Sequence, residues 1–209
     1  MKFLNFDKVL CLSPHPDDVE YSMSGTIGKF KSTTFDVYCL TNGTSTDSST
    51  NKTRLDEVQS FWSSYNVNNV NLILPEVANF EHYNTAEWTT CLDHIKLNGY
   101  DAVCTTSPKD SHQEHIFVNS LATSIARNSC LSIIEYRSPS TLHAWIPNYF
   151  VDINKQLNCK ISSLQSSFIS QMDSIYFSTS CIHSFHTDYN CLKRNLQFVE
   201  QFKIKTLYN

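Results

Sequence analysis

Polar and apolar positions change period several times along this chain. Short β-branched or apolar runs at Lys8–Ser13, Phe35–Leu40, Asn69–Leu74, Asp101–Thr106 and Leu131–Tyr136 read as strands. Three of them run straight into a proline (Pro14, Pro75, Pro108), which cannot continue a hydrogen-bonded ladder and so marks a strand end. Between the strands, apolar residues at spacings of three and four predict helices at about Gly25–Lys31, Lys52–Tyr65, Thr85–Asn98, Gln113–Asn128 and Asn154–Met172. Strands alternating with helices are the pattern of βαβ units. The expected fold is therefore α/β, a Rossmann-like open, mostly parallel sheet with helices on both faces. Thr41–Asn51 (TNGTSTDSSTN) is polar and aperiodic and reads as a loop long enough to edge a site. The pattern weakens after Met172, although Val199–Tyr208 fits a closing strand.

Composition narrows the function. The 209 residues suit a single domain over 1–209, and a hydrophobic content of 41% can fill its core, which excludes disorder as the main theme. Four glycines (Gly25, Gly28, Gly43, Gly99) leave no place for a dinucleotide turn or a phosphate loop. A net charge of −4 without Lys or Arg clusters lacks the footprint that a phosphate backbone requires, so nucleic acid is not an expected partner. No run of apolar residues is long enough to span a membrane, and the start MKFLNFDKVLCLSPHP breaks its apolar run at Asn5, Asp7 and Lys8. Eight cysteines, none in a C-x-x-C pair and most within apolar runs, read as buried reduced thiols of a cytoplasmic protein.

In an open doubly wound sheet, ligands bind beyond the carboxyl ends of the strands where strand order reverses. That rule directs attention to the loops after the first and fourth strands: Ser13-Pro14-His15-Pro16-Asp17-Asp18, and Ser107 through His115 (SPKDSHQEH). His15, Asp18 and His115 form a donor set that zinc accepts in catalytic sites, with one position left for water. Asp17 beside Asp18 suggests divided labour, one carboxylate ligating and the other free to handle protons. Ser111 followed by Glu114 reads as a capping box for the helix beginning there, while His112 and His115 share one face of its first turn. Arg54 and Glu57, at i and i+3, read either as a surface ion pair or as a grip on substrate. His183-x-x-His186-x-Asp188 has ligand-like spacing but reads as a solvated segment, and His82, His94 and His143 are isolated.

SPHPDDVEYSMSGTI followed by LTNG, then Arg54 with Glu57, then SPKDSHQEH, resembles the zinc-dependent de-N-acetylases of the PIG-L/LmbE-like superfamily from about Val9 to Gln171, with VEQF similar to that family's terminal strand. The resemblance implies that His15, Asp18 and His115 hold Zn2+, that Asp17 is the general base, that His112 stabilises or protonates the reacting carbonyl, and that Arg54 contacts a substrate sugar. It implies hydrolysis of an N-acetylglucosamine-type sugar or conjugate to acetate and an amine. A zinc amidohydrolase on a non-sugar N-acyl compound and a non-catalytic sugar-binding relative are the alternatives. A homo-oligomer is compatible, since members of the family assemble in several ways. The sequence departs from the family pattern in three ways: Ser22 and Ser24 replace glycines, Glu114 replaces an Asp, and the acid after HPDD comes one place later, as Glu20.

Overall fold

In the computed structural model, which describes residues 1–43, 48–74, 88, 92 and 99–208, a seven-stranded sheet runs through the molecule. Its strands are β1 (Lys8–Ser13), β2 (Thr34–Cys39), β3 (Val70–Ile73), β4 (Ala102–Thr105), β5 (Ser132–Tyr136), β6 (Tyr149–Asp152) and β7 (Val199–Thr206), in the order β3-β2-β1-β4-β5-β7-β6. The first five pair in parallel, and β7 runs antiparallel between β5 and β6. Strand order reverses at β1, which lies between β2 and β4. A crevice at the carboxyl ends of β1 and β4 follows from that reversal.

Alternating side chains send the strands' apolar residues to both faces. Val9 and Cys11 of β1, Ala102 and Cys104 of β4, and Ile134 and Tyr136 of β5 join one core. Leu10, Leu12, Val103 and Ile133 join the other. Helices α1 (Asp18–Lys29), α2 (Ser48–Ser64) and α4 (Leu157–Ser167) cover the first face, and α3 (Gln113–Ser129) covers the second. Two short helices, α5 (Thr179–Phe185) and α6 (Tyr189–Leu192), follow single 3-10 turns at Ile169–Gln171 and Ile175–Phe177.

The expected sheet is present, but several boundaries move. Helix α1 begins at Asp18 and not near Gly25, because every residue from Asp18 to Ile27 is buried and no apolar stripe marks its start. Helix α2 begins at Ser48, which shortens the predicted polar loop. The helix expected over Asn154–Met172 ends at Ser167 and gives way to the 3-10 turns, and β6 was not anticipated. The helix predicted over Thr85–Asn98 lies outside the described residues apart from Trp88 and Leu92, both helical. Cys11, Cys39, Cys104 and Cys191 are buried free thiols as expected, whereas Cys130 and Cys159 are exposed.

One buried ion pair ties α1 to the rest. Glu200 on β7 accepts the backbone N–H groups of Gly25 (2.8 Å) and Thr26 (2.6 Å) midway along α1, and the Lys160 ammonium of α4 (2.6 Å). Neither charged side chain has any exposed surface. Gly25 is required for this approach, since a Cβ there would lie 2.9 Å from Glu200 Oε1 and 2.8 Å from Ile153 Cγ2.

Candidate metal centre and active-site cavity

The loop leaving β1 is folded by its own polar groups. Ser13 Oγ donates to His15 O, Thr41 Oγ1 donates to Pro14 O, and the His15 N–H donates to Asp18 Oδ2 at 3.0 Å. Asp18 is thereby turned back over the loop. Its Oδ2 also accepts from His15 Nδ1 at 3.1 Å, and its Oδ1 lies 3.3 Å from His115 Nε2. From the other side, Thr106 Oγ1 donates to His115 O and Asn119 Nδ2 to Thr106 O, which seats the start of α3 against the end of β4.

The donor atoms of His15, Asp18 and His115 all lie within 4.8 Å of one another. His15, His112 and Glu114 meet the same distance, with His15 common to both groups. The two groups use opposite edges of the His15 ring: Nδ1 faces Asp18, while Nε2 is hydrogen-bonded to Glu114 Oε2. His115 is backed in the same way, its Nδ1 lying 3.2 Å from Asp110 Oδ2, and Asp110 also accepts from Ser138 Oγ at 2.6 Å. A histidine that presents one nitrogen to a cation and the other to a carboxylate is held in one tautomer and orientation. His15 and His115 both have this arrangement, so the residues fit a zinc ion. The capping box expected from the sequence does not form: Ser111 Oγ donates to Ser140 O, Glu114 serves His15, and Asp110 Oδ1 takes the His112 N–H instead.

The carboxylates around the two histidines favour protonated rings. Burial works to lower the pKa of His15, but hydrogen bonds to Asp18 and Glu114 outweigh it and hold the ring at about 9. Burial also opposes protonation of His115, and the charges and hydrogen bonds of Asp18 and Asp110 raise it to about 10. Burial together with the charges of His15 and His115 keeps His112 below the usual histidine range. Burial raises Asp17 to about 6 against the opposing pull of Arg54. Metal ligation requires neutral histidines, so a cation entering this site displaces protons.

A cavity of about 280 Å³ opens onto this cluster, and Asp17, Asp18, His112 and Arg54 line it together with Gln171, Ser174, Tyr176 and Phe177. Rings of His15 and His112, and of His112 and His115, stand 4.8 Å apart. The structure thus brings together every site residue read from the sequence. Arg54 does not pair with Glu57: its guanidinium reaches Asp17, while Glu57 binds Ser170.

Asp110 and Glu114, the carboxylates behind the two histidines, were not read as site residues from the sequence, although both lie inside SPKDSHQEH. Glu20, the displaced acid of HPDD, is absent from the cavity lining. It is fully buried, accepts Trp62 Nε1 at 2.6 Å, and is pushed by burial to about 8. The segment with ligand-like spacing is not solvated throughout: His186 is 1% exposed, His183 stacks on Phe198, and Asp188 caps α6. Among the described residues these three form no metal-ligand group.

Solved structures with the same fold include N,N'-diacetylchitobiose deacetylase from Pyrococcus horikoshii in complex with its inhibitor MPG. It is 22% identical with a TM-score of 0.74, over 98% of this chain and 85% of that one. A conserved protein from Thermus thermophilus is 16% identical with a TM-score of 0.71, over 98% and 97% of the two chains. The zinc-inhibited form of teicoplanin deacetylase Orf2 is 12% identical with a TM-score of 0.72, over 93% and 96%. No curated protein matches the chain. The family model for PIG-L, GlcNAc-PI de-N-acetylase, matches residues 10–126, more than half of the sequence and including both loops of the site. This chain belongs to the PIG-L family of GlcNAc-PI de-N-acetylases.

Proposed function

We propose that this protein is a zinc-dependent de-N-acetylase that hydrolyses the acetamide of an N-acetylglucosamine-type sugar or glycoconjugate. The observation that carries the reading is the convergence of His15, Asp18 and His115, each histidine backed by its own carboxylate, on a cavity that also holds Asp17 and His112. The names of the structural neighbours, an N,N'-diacetylchitobiose deacetylase and a teicoplanin deacetylase, support the same chemistry. The chain acts as a single domain over 1–209. Its buried thiols suit a reducing cytoplasm, and among the described residues no helix is long and apolar enough to cross a membrane. A homo-oligomer is compatible with this reading.

His15, Asp18 and His115 would hold the zinc, which when bound supplies a concentrated positive charge that polarises a carbonyl oxygen and makes water more acidic. Asp17, next to the ligand Asp18 in sequence but held by Arg54, takes the proton that the attacking water loses and returns it to the departing nitrogen. His112 lines the same cavity and donates a hydrogen bond to the carbonyl oxygen as charge builds on it. Water adds to the carbonyl carbon, the C–N bond breaks, and acetate and a free amine leave. Arg54 was expected to grip the sugar, and it lines the cavity beside Asp17.

A panel of N-acetyl sugars and N-acyl amino acids, assayed for acetate release by the zinc-loaded protein, tests the substrate class. Turnover of N-acetyl sugars well above N-acyl amino acids supports the reading. The reverse order moves the protein to the amidohydrolase alternative, and no turnover of either class supports the sugar-binding one.

A further inference from the structure

Arg54 of α2 lines the cavity beside Asp17, and we propose that it is a positioning residue for the reaction, acting through Asp17. The inference rests on Asp17 being the base.

Three of Arg54's five N–H groups are hydrogen-bonded within the protein. Nη2 donates to Asp17 Oδ2 at 2.6 Å and to Pro16 O at 3.3 Å, and Nη1 donates to Gly43 O at 3.1 Å. Nε is buried without a partner, so it cannot reach a ligand in the cavity. Asp17, in contrast, keeps one oxygen uncommitted. Oδ2 is held by Arg54, and among the described residues Oδ1 has no partner in a side chain that lines the cavity. A planar guanidinium that fixes one carboxylate oxygen also fixes the direction of the other.

The seat of the guanidinium is built into the backbone. Gly43 has φ +74°, and a Cβ on it would lie 2.8 Å from Pro16 Cδ and 3.1 Å from Arg54 Cζ. Glycine in the LTNG segment therefore serves two needs, a left-handed backbone and room for the Arg54 head group. One turn further along α2, Glu57 accepts the Ser170 N–H and Oγ–H, each at 2.7 Å. That contact pins the 3-10 turn whose Gln171 lines the cavity. Helix α2 thus holds Asp17 through Arg54 and, through Glu57, the turn that brings Gln171 to the cavity.

The test uses the full chain loaded with zinc and assayed on N-acetylglucosamine, or on the sugar turned over fastest in the panel above. Misplacing a catalytic group by about 1 Å can cost about 10²-fold. Arg54→Ala should therefore lower kcat by about 10–10²-fold with KM within about twofold and zinc content unchanged. Guanidinium ion added to Arg54→Ala should restore part of that kcat. In an Asp17→Asn background, Arg54→Ala should cost less than about twofold more, because a residue that acts through Asp17 has nothing left to position. A raised KM with kcat retained overturns the proposal and returns Arg54 to substrate contact, as do independent, multiplying losses in the double variant. If Arg54→Ala does not fold, Arg54→Lys, which keeps the charge and loses the fork, completes the same cycle with the same outcomes. Asp17→Asn alone with wild-type kcat overturns the base assignment and this inference with it, a result distinct from the others because Arg54 is then intact.

Discussion

Glu200→Gln tests how the fold holds the helix that begins at the metal site. In the wild type, Lys160 and Glu200 have no exposed side-chain surface, and burial lowers the Lys160 pKa while Glu200 pulls it back up. With the carboxylate replaced by an amide, Lys160 has either to stay charged in a site that no longer compensates it or to give up its proton. Breaking one partner of a buried pair costs about 3–5 kcal/mol. The second route sets a ceiling close to that: a lysine with an ordinary pKa near 10.4 loses its proton at pH 7 for about 4.6 kcal/mol. For a domain of this size each kcal/mol lowers Tm by about 2–4 °C, so a fall of about 6–20 °C is expected. The pH dependence carries the signature. Neutral in the folded variant and charged in the unfolded chain, Lys160 makes the unfolded state the better proton binder, so stability is lost below the unfolded pKa and recovers as pH rises towards it. The deficit against wild type should shrink by about 1.4 kcal/mol per pH unit between pH 7 and 10. Urea unfolding at pH 7 and pH 9 measures this, and Lys160→Met added to Glu200→Gln should recover most of the loss at pH 7. A deficit below about 1 kcal/mol at pH 7, or one that does not change with pH, would refute the reasoning.

Further expectations follow from other contacts. Glu114→Gln keeps a hydrogen-bond acceptor for His15 Nε2 but removes its charge, and zinc affinity measured by competition with a chromophoric chelator should fall about 10–100-fold; unchanged affinity would remove Glu114 from the support of the metal. His186 is buried with Nε2 unpartnered, and burial holds its pKa well below the usual histidine value. Below about pH 6.5 the unfolded chain therefore binds a proton that the native state refuses, and stability falls with decreasing pH by up to about 1.4 kcal/mol per unit. His186→Asn, which can still donate to Val199 O, should flatten that slope in urea melts, and an identical slope would count against it. His183→Ala should leave zinc content untouched, since His183 belongs to no metal-ligand group among the described residues.

The sheet and both chemical loops were legible because their signals are local. A proline after a strand and a histidine beside paired carboxylates can be read without knowing what packs nearby. Strand order then gave the two loops a common crevice, a consequence of topology more than of any residue. What escaped was decided by tertiary contact. Helix α1 is covered on all sides, so Val19, Tyr21, Met23 and the serines between them show no amphipathic stripe. Ser111 and Glu114 match a capping box, yet His15, far away in sequence, outcompetes the backbone for Glu114. Arg54 and Glu57 stand at ion-pair spacing, and each finds a partner from a different loop. His186 lost its expected solvent exposure to Val199 of a strand that the chain forms only at its end.

The central claim is that amide hydrolysis depends on one zinc held by His15, Asp18 and His115. Metal-stripped protein titrated with zinc, with acetate and free amine both followed from an N-acetyl sugar, tests it most directly. Activity should rise from nothing to a plateau at about one zinc per chain, with equal acetate and amine, and His115→Ala should neither hold the metal nor release acetate. Hydrolysis by the metal-free protein, or full zinc occupancy and turnover in His115→Ala, would contradict the account.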